Sequence, residues 1–379
     1  MTDHSLSPQF MARALELAAK GGRAVAPNPL VGAVIVRDGV IIGEGYHTKF
    51  GAPHAEIDAL RSLSGNQLTG TETLYVTLEP CSHFGKTPPC TDALLQSGIR
   101  HVVVGCRDPF PMVAGTGIEK LRNNGIRVDE GLLDSQCRFL NRRFIVRHQK
   151  KRPFIILKWA QTQDGFIARD DGTSQWISGE ESRALVHLWR SIEPAIFVGS
   201  RTAATDNPSL TVRLVAGQNP TRILLDRKGI VKADTKIFDN SAPTIRFCSK
   251  SEEAILEAPP TCATVFLNPT PGSPTRNQHE PLLEICTELY EQGILSVLVE
   301  GGSELIGHFL RLGLWDEARV FTSQLNFGSG VAAPQGLPSS KFKTSVGIDT
   351  LEWHINPTLL SDLNCTEPFL DPLTPLSPH

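Results

Sequence analysis

Two α/β domains in tandem, each a central sheet with helices packed on it, are what this sequence predicts. Three observations carry the prediction. The chain has 379 residues, enough for two domains that each bury a core. Apolar runs of strand length alternate with segments of helical spacing along most of it. The stretch "NRRFIVRHQKKRP", residues 141–153, gathers six Lys and Arg residues and ends in Pro153, which marks a junction between two such series. The same basic run also reads as a solvated helix end or as a phosphate contact.

Residues 9–21 place apolar side chains at helical spacing. "NPLVGAVIVRDGVIIGEGYH" then reads as two strands joined by the turn Arg37-Asp38-Gly39. A helix from about His54 to Leu63 is followed by the buried strand "TLYVTLEP", the helix "TDALLQSG", the strand "HVVVGC" and the helix "GIEKLRNNG". Beyond the junction come the strand "PFIILKWA", a helix near "EESRALVHLWRS", and the strands "AIFVG", "TRILLD", "TIRFCS", "TVFLN" and "LSVLVE". The last of these passes through Gly301-Gly302 into a helix, "GGSELIGHFLRLG", with Ser303 as its expected cap. Residues past about 330 offer little pattern, and the tail "TEPFLDPLTPLSPH", with four prolines, is expected to be poorly ordered.

Composition narrows the function. With 40% hydrophobic and 20% charged residues the chain is an ordinary globular one. It has no apolar run near the roughly eighteen residues of a membrane helix. Residues 1–150 carry 17 Lys and Arg against 14 Asp and Glu, and the remainder 20 against 26, so neither part suits a long polyanion. A small anionic substrate needs only a few local cations. The start, "MTDHSLSPQFMARALELAAK", lacks a basic segment followed by an apolar one, and a cytoplasmic protein is expected. Of eight scattered cysteines, only Cys81 and Cys90 keep company with other ligands.

That company is the first candidate site. Catalytic zinc takes three protein ligands and leaves a fourth position to water, and His54, Cys81 and Cys90 can supply the three. Glu56, two residues from the histidine, is near enough to reach that water without binding metal. Zinc brings the water pKa near neutrality, and a carboxylate beside it can take the proton and pass it to a leaving amine. The general pattern for nucleobase deaminases is H-x-E and then P-C-x-x-C. Here H-A-E and P-C are present, but eight residues separate the cysteines. Cys106 and Cys137 read as ordinary core.

With "APNPLVGAVIV", "GEGYH", "PHAE" and "TLEPCSHFGKTPPC", the N-terminal part resembles the deaminase half of the bifunctional riboflavin-biosynthesis proteins. In that family a diaminohydroxyphosphoribosylaminopyrimidine deaminase is fused to a 5-amino-6-(5-phosphoribosylamino)uracil reductase, and the long cysteine spacing is its own. The resemblance implies a cytidine-deaminase-like α/β/α domain over residues 1–149, with Zn²⁺ on His54, Cys81 and Cys90 and Glu56 as proton shuttle. It also implies Asn28, His47, His83 and Lys86 around the substrate. Asn28 alone also reads as a turn residue before Pro29, and Lys86 as a solvated loop charge.

The second part lacks a G-x-G-x-x-G after its first strand, which argues against the commonest dinucleotide fold. The strand-Gly-Gly-helix joint of "LSVLVEGGSEL" can instead bring backbone N–H groups to a phosphate, or can serve close helix packing. "SQWIS", "VGSRTAATDNPSLTVR" and "VEGGSEL" are similar to the reductase half of the same family. This implies a dihydrofolate-reductase-like α/β domain over residues 150–365, with residues 366–379 as a Pro-rich tail. By the same resemblance Ala160, Trp176, Thr202, Asp206, Gly302 and Ser303 meet NADPH, and Ser174, Arg190, Leu210, Arg213 and Glu300 meet the substrate. Guanidinium groups suit phosphate, although Arg190 and Arg213 also read as surface ion pairs, and Trp176 as core. One departure lies in "KWAQTQDGFIA", where Gln163 and Phe166 flank Asp164-Gly165 in place of the family's usual leucine and basic residue.

The reading is a bifunctional enzyme that deaminates 2,5-diamino-6-ribosylamino-4(3H)-pyrimidinone 5′-phosphate and then reduces its ribosyl group to ribityl with NADPH. The expected partner is this small phosphorylated pyrimidine, with no nucleic acid and no membrane, and the family implies a homo-oligomer. Two rivals are a nucleic-acid base deaminase with an appended binding domain and a silent zinc-binding regulator. Balanced charge and 7% aromatic residues oppose the first, and Glu56 opposes the second, since zinc binding alone does not need it.

Overall fold

The structure, a computed structural model, describes residues 6–63, 68–84, 88–110, 114–170, 176–249, 262–267 and 281–365. They group into two compact units, residues 6–150 with 361–365, and residues 151–360. The basic run 142–150 is a helix that ends at the divide. Residues 361–365 return to the first unit, where Lys150 pairs with Asp362 at 2.6 Å and the Cys365 thiol donates to Ser135 O at 3.2 Å. The Pro-rich tail lies outside the described residues.

The first unit runs α1 (Pro8–Ala19), β1 (Gly32–Arg37), β2 (Val40–Tyr46), α2 (Ala55–Arg61), β3 (Thr73–Leu78), α3 (Cys90–Ser97), β4 (His101–Cys106), α4 (Thr116–Asn123), β5 (Arg127–Glu130), α5 (Asp134–Leu140) and α6 (Arg142–Lys150). Its sheet has the order β2-β1-β3-β4-β5, with β1 antiparallel to both neighbours and β3, β4 and β5 parallel. The β1–β2 turn needs two left-handed residues to match strand twist, and Asp38 and Gly39 provide them at φ 50° and 75°. Alternate residues face opposite sides. Ala33, Ile35, Leu74, Val76, Val102 and Val104 face Leu94 of α3 and Leu121 of α4, with Ala55 and Ala59 of α2. Val34, Tyr75, Leu78 and Val103 face Met11 and Leu17 of α1 and Cys137 of α5. A Cβ on Gly45 would lie 2.2 Å from Ala59 N, so only glycine lets β2 pass this close to α2.

The second unit contains β6 (Phe154–Gln161), β7 (Phe166–Ala168), α7 (Glu180–Ile192), β8 (Ala195–Gly199), α8 (Ser200–Asp206), β9 (Thr221–Leu225), β10 (Thr244–Ser249), β11 (Cys262–Leu267), α9 (Pro281–Glu291), β12 (Ser296–Val299), α10 (Ser303–Arg311), β13 (Glu317–Thr322), β14 (Val331–Ala332), β15 (Phe342–Val346) and β16 (Asp349–Ile355). A last helix, α11 (Pro357–Asp362), follows. Among the described residues its main sheet has nine strands in the order β11-β10-β9-β8-β12-β6-β13-β16-β15. The first seven are parallel, and β16 and β15 add an antiparallel edge. Parallel strands covered on both faces read as continuous apolar runs, as β6, β8 and β12 do. One face packs on Leu282 and Ile285 of α9 and Ile306 and Phe309 of α10. The other carries Ala203 of α8 and, on α7, Trp189 with its ring 5.5 Å from that of Phe321.

A buried ion pair closes the start of this unit. Arg152 donates to Asp316 through two nitrogens at 2.6 and 2.8 Å, and Ile155 N donates to the same carboxylate at 2.8 Å. Asp316→Ala strands a buried guanidinium, and the second unit is expected to lose about 3–5 kcal/mol in chemical denaturation. A loss below about 1 kcal/mol, as for a surface site, would sink this account.

Candidate active sites

In the first unit the chemistry gathers at the carboxyl end of β3. His54 is the N-cap residue of α2, and Cys90 is the first residue of α3 and fully buried. Cys81 Sγ lies 3.6 Å and Cys90 Sγ 3.3 Å from His54 Nδ1, and Cys90 N donates to Cys81 Sγ at 3.3 Å. One ligand atom from each residue fits within a 4.8 Å group. Two thiols and an imidazole so placed fit the donor set of a three-ligand zinc site. The Cys90 thiol and then His54 hold Cys81 well below an ordinary thiol despite burial, while the bond to Cys81 and burial push Cys90 far up. The pair therefore carries thiolate character, the form a metal needs.

Glu56 sits in the first turn of α2 and is 3% exposed. Burial, and next the negative charge on Cys81, lift its carboxyl to about 7. A bound cation acts in the opposite sense. His47 is buried, its ring 5.3 Å from that of His54. Its Nδ1 lies 3.0 Å from Pro53 O and its Nε2 3.1 Å from Asn28 Nδ2. A carbonyl only accepts, so Nδ1 carries the hydrogen and Nε2 accepts from the amide. Burial lowers the pKa of His47 and keeps this neutral tautomer. Asn28 is thus a turn residue, with its N–H on Val25 O at 2.9 Å, and a partner of His47 as well. His83 is exposed just beyond Cys81. Lys86 lies outside the described residues.

Two acidic residues here escaped sequence reasoning. Glu79, 4% exposed, accepts from the main-chain N–H groups of Gly115 and Gly117 at 2.9 Å and of Asp108 and Ile118 at 3.2 Å. It fastens the start of α4 beside Pro80 and Cys81 so closely that a Cβ on Gly117 would lie 2.0 Å from Pro80 O. Asp108, next to that clamp, has its carboxyl raised to about 6 by burial, in opposition to His83. The "EP" before Cys81 was the available signal for Glu79, but its donors lie 29 to 39 residues away.

In the second unit the candidates collect where β12 meets α10. Glu300 is nearly buried and takes Arg190 Nε at 2.7 Å and Nη2 at 2.8 Å, while Arg190 Nη1 donates to Thr211 O at 3.3 Å. Arg190 is therefore a half-buried partner of Glu300 and not a surface ion pair. Burial pushes the Glu300 carboxyl up, but Arg190 and then Lys158 outweigh it and hold it below the usual range. Lys158 of β6, which the motifs did not single out, is itself lowered by burial. Leu210 is buried at φ 55°, and Arg213 Nη1 donates to Thr211 Oγ1 at 3.0 Å.

The cofactor candidates converge in part. A Cβ on Gly301 would lie 2.9 Å from Thr202 Cγ2, and one on Gly302 would lie 3.1 Å from Thr202 Oγ1. Gly302, at φ 68°, is the N-cap of α10. Ser303, expected as the cap, is instead the first helical residue, because the left-handed glycine makes the sharp entry. This glycine cradle ahead of a nine-residue helix fits a phosphate-bearing cofactor such as NADPH. Ala160 pairs with Phe321 across β6 and β13, and Asp206 is exposed at the end of α8. Trp176 is 72% exposed with the Arg183 guanidinium 5.1 Å from its ring, so it is not core. Ser174 lies outside the described residues.

A three-ligand metal centre with a buried carboxyl, followed by a parallel-sheet unit with a phosphate cradle, defines a zinc-dependent deaminase joined to a reductase. Comparison with known proteins agrees. Residues 5–106 match the cytidine and deoxycytidylate deaminase zinc-binding region, and residues 153–355 match the RibD C-terminal domain. The riboflavin biosynthesis protein RibD of Aquifex aeolicus is 42% identical over 329 residues, 86% of this chain and 89% of that protein. Its Escherichia coli counterpart is 40% identical over 356 residues, 88% and 94% of the two chains. The crystal structure of a diaminohydroxyphosphoribosylaminopyrimidine deaminase/5-amino-6-(5-phosphoribosylamino)uracil reductase from Thermotoga maritima has a TM-score of 0.81 at 43% identity, covering 92% of this chain and 98% of that one. The chain belongs to the RibD family, the bifunctional deaminase and reductase of riboflavin biosynthesis, with zinc and NADPH as cofactors and a phosphorylated pyrimidine as substrate. Among the described residues no helix is long and apolar enough to cross a membrane.

Glu79→Ala leaves four main-chain N–H groups, three of them buried, without their acceptor. Zinc affinity, read by competition with a chelator, is expected to fall about 10- to 100-fold, with NADPH oxidation on deaminated substrate unchanged. Unchanged zinc retention would remove Glu79 from the site.

Proposed function

We propose that Glu56 moves the proton in the deaminase site and that Glu300, Arg190, Arg213 and Lys158 seat the substrate in the reductase site. The observation that carries the first assignment is a buried carboxyl beside three converging ligand atoms. His54, Cys81 and Cys90 would hold zinc. When bound, zinc supplies an activated water and NADPH supplies a hydride. A Glu56 oxygen takes the proton from water and gives one to the departing amine, so that water and the ring C–NH₂ become C=O and ammonia.

His47 holds the Pro53 carbonyl, and with it the entry to His54, through Nδ1–H. Its bond from Asn28 Nδ2 leaves Asn28 Oδ1 as an acceptor for the pyrimidine edge. His83 and Lys86 complete this substrate set. In the second unit Arg190 gives its fork to Glu300, so Arg213 is the guanidinium we assign to the 5′-phosphate. Glu300 and Lys158 offer an acceptor and a donor to the sugar hydroxyls, and Leu210 and Ser174 are the further substrate contacts we assign. Thr202, Gly302 and Ser303 would cradle a cofactor phosphate, and Ala160, Trp176 and Asp206 would line the rest of the cofactor path. All eight cysteines are thiols, which supports placing the protein in the cytoplasm.

Glu56→Gln keeps the shape and removes the proton carrier. Ammonia release is expected to fall at least about 10²-fold, with zinc content and NADPH oxidation on deaminated substrate unchanged. Ammonia release within tenfold of wild type would refute the role of Glu56.

A further inference from the structure

We propose that His187 is a positioning residue of the reductase site, fixing through Nδ1 the backbone of Arg213 so that residues 210–213 are presented to the phosphorylated substrate. This rests on the assignment of Arg213 as a substrate contact. His187 and Arg190 are three residues apart on α7 and therefore share a face. Both hold the same segment. Arg213 N donates to His187 Nδ1 at 2.9 Å, and Arg190 Nη1 donates to Thr211 O at 3.3 Å. Between them, Val212 N donates to Asn219 Oδ1 at 2.8 Å. The segment needs such anchors, because Leu210 sits at φ 55°, a region costly for a branched side chain.

An imidazole nitrogen that accepts from a main-chain N–H carries no proton, so His187 is neutral with its hydrogen on Nε2. Its surroundings enforce this. His187 is 5% exposed, and burial, then Arg190 of α7 and Arg213 of the segment, bring its pKa to about 4. Glu300 after β12 opposes this shift, and Lys158 of β6 adds to it. A protonated ring would set N–H against N–H. The folded pKa lies below the unfolded value of about 6.5, so the anchor's contribution is complete above about 6.5 and is lost as pH falls toward 4.

The test uses the full chain, with NADPH oxidation measured on the deaminated 5′-phosphate substrate. Asn at this position can offer Oδ1 where Nδ1 stood, whereas Leu offers no acceptor. His187→Leu is expected to raise the substrate KM about tenfold, with kcat and the KM for NADPH near wild type, and His187→Asn to stay within about threefold. The wild-type KM should also rise relative to that of His187→Asn as pH drops below about 5, since the amide does not titrate. Arg213→Ala separates the two assumptions. If it leaves the substrate KM unchanged, the assignment of Arg213 fails. If it raises KM while His187→Leu lowers only the melting temperature, or raises both KM values alike, His187 is packing and the inference fails. Should His187→Leu not fold, a wild-type to His187→Asn KM ratio that stays flat with pH overturns it equally.

Discussion

A buried carboxylate at the carboxyl end of a strand must be given donors, because leaving it bare costs more than most single contacts return. Both sites are arranged around this constraint. Glu79, one residue beyond β3, is satisfied by four main-chain N–H groups, three at the start of α4 and one from Asp108 after β4. Glu300, one residue beyond β12, is satisfied by the fork of Arg190. The solutions differ in consequence. Main-chain donors tie Glu79, and with it the chain that continues to Cys81, to the start of α4. A side-chain donor fixes a helix, and that helix carries His187 as well as Arg190. In each unit the carboxylate converts a strand end, which parallel sheets leave free for ligands, into a rigid frame.

The two frames also set different electrostatics. Around His54 the thiols and Glu56 concentrate negative charge in a buried place, and their mutual influence is what a divalent cation relieves. Around Glu300 the balance is reversed, since Arg190, Arg213 and Lys158 outnumber the one carboxylate. Such an excess suits a dianionic phosphate and requires any nearby histidine to be neutral. A net charge of −3 over the whole chain conceals both arrangements.

Much of the fold was legible because burial follows the period of two. β1, β3 and β4 alternate between two helix layers, and the Asp38-Gly39 turn has the residues its geometry demands. The edge of the second sheet was not legible, for two physical reasons. β13 begins Glu317-Ala318-Arg319, and its two charged residues are buried as a pair, Arg319 Nη2 on Glu317 at 2.8 Å, which hides the strand behind a polar pattern. β16 does alternate, with Leu351, Trp353 and Ile355 buried, but its first inward residue is Asp349, which accepts from Gly179 N at 2.7 Å and Ser182 Oγ at 2.6 Å. The cluster of His54, Cys81 and Cys90, with Glu56 beside it, was readable from motif and chemistry. The donors of Glu79 and the Arg190–Glu300 pair were not, since contacts 29 to 110 residues apart leave no local spacing to read.

The turn at residues 162–166 shows why one departure in sequence need not disturb a site. Asp164 accepts from Phe327 N at 3.0 Å and Gly328 N at 2.7 Å, and Gly165 turns at φ 85°. Gln163 is exposed and, among the described residues, joins this network through its main-chain N–H, which reaches Leu325 O at 2.8 Å. Its side chain is therefore free to differ without loss of the turn. Phe166 is another matter, because its side chain is half-buried against residue 330, where a Cβ would lie 3.3 Å from it. The Phe166 main chain closes the turn onto Thr162 and pairs with Ala332 of β14. An aromatic residue here holds Gly330 by packing, where a basic residue would bring a charge that must be solvated or paired. Phe166 thus leaves the turn without a charge of its own to be paired, and the Asp164 clamp is the element that fixes its shape.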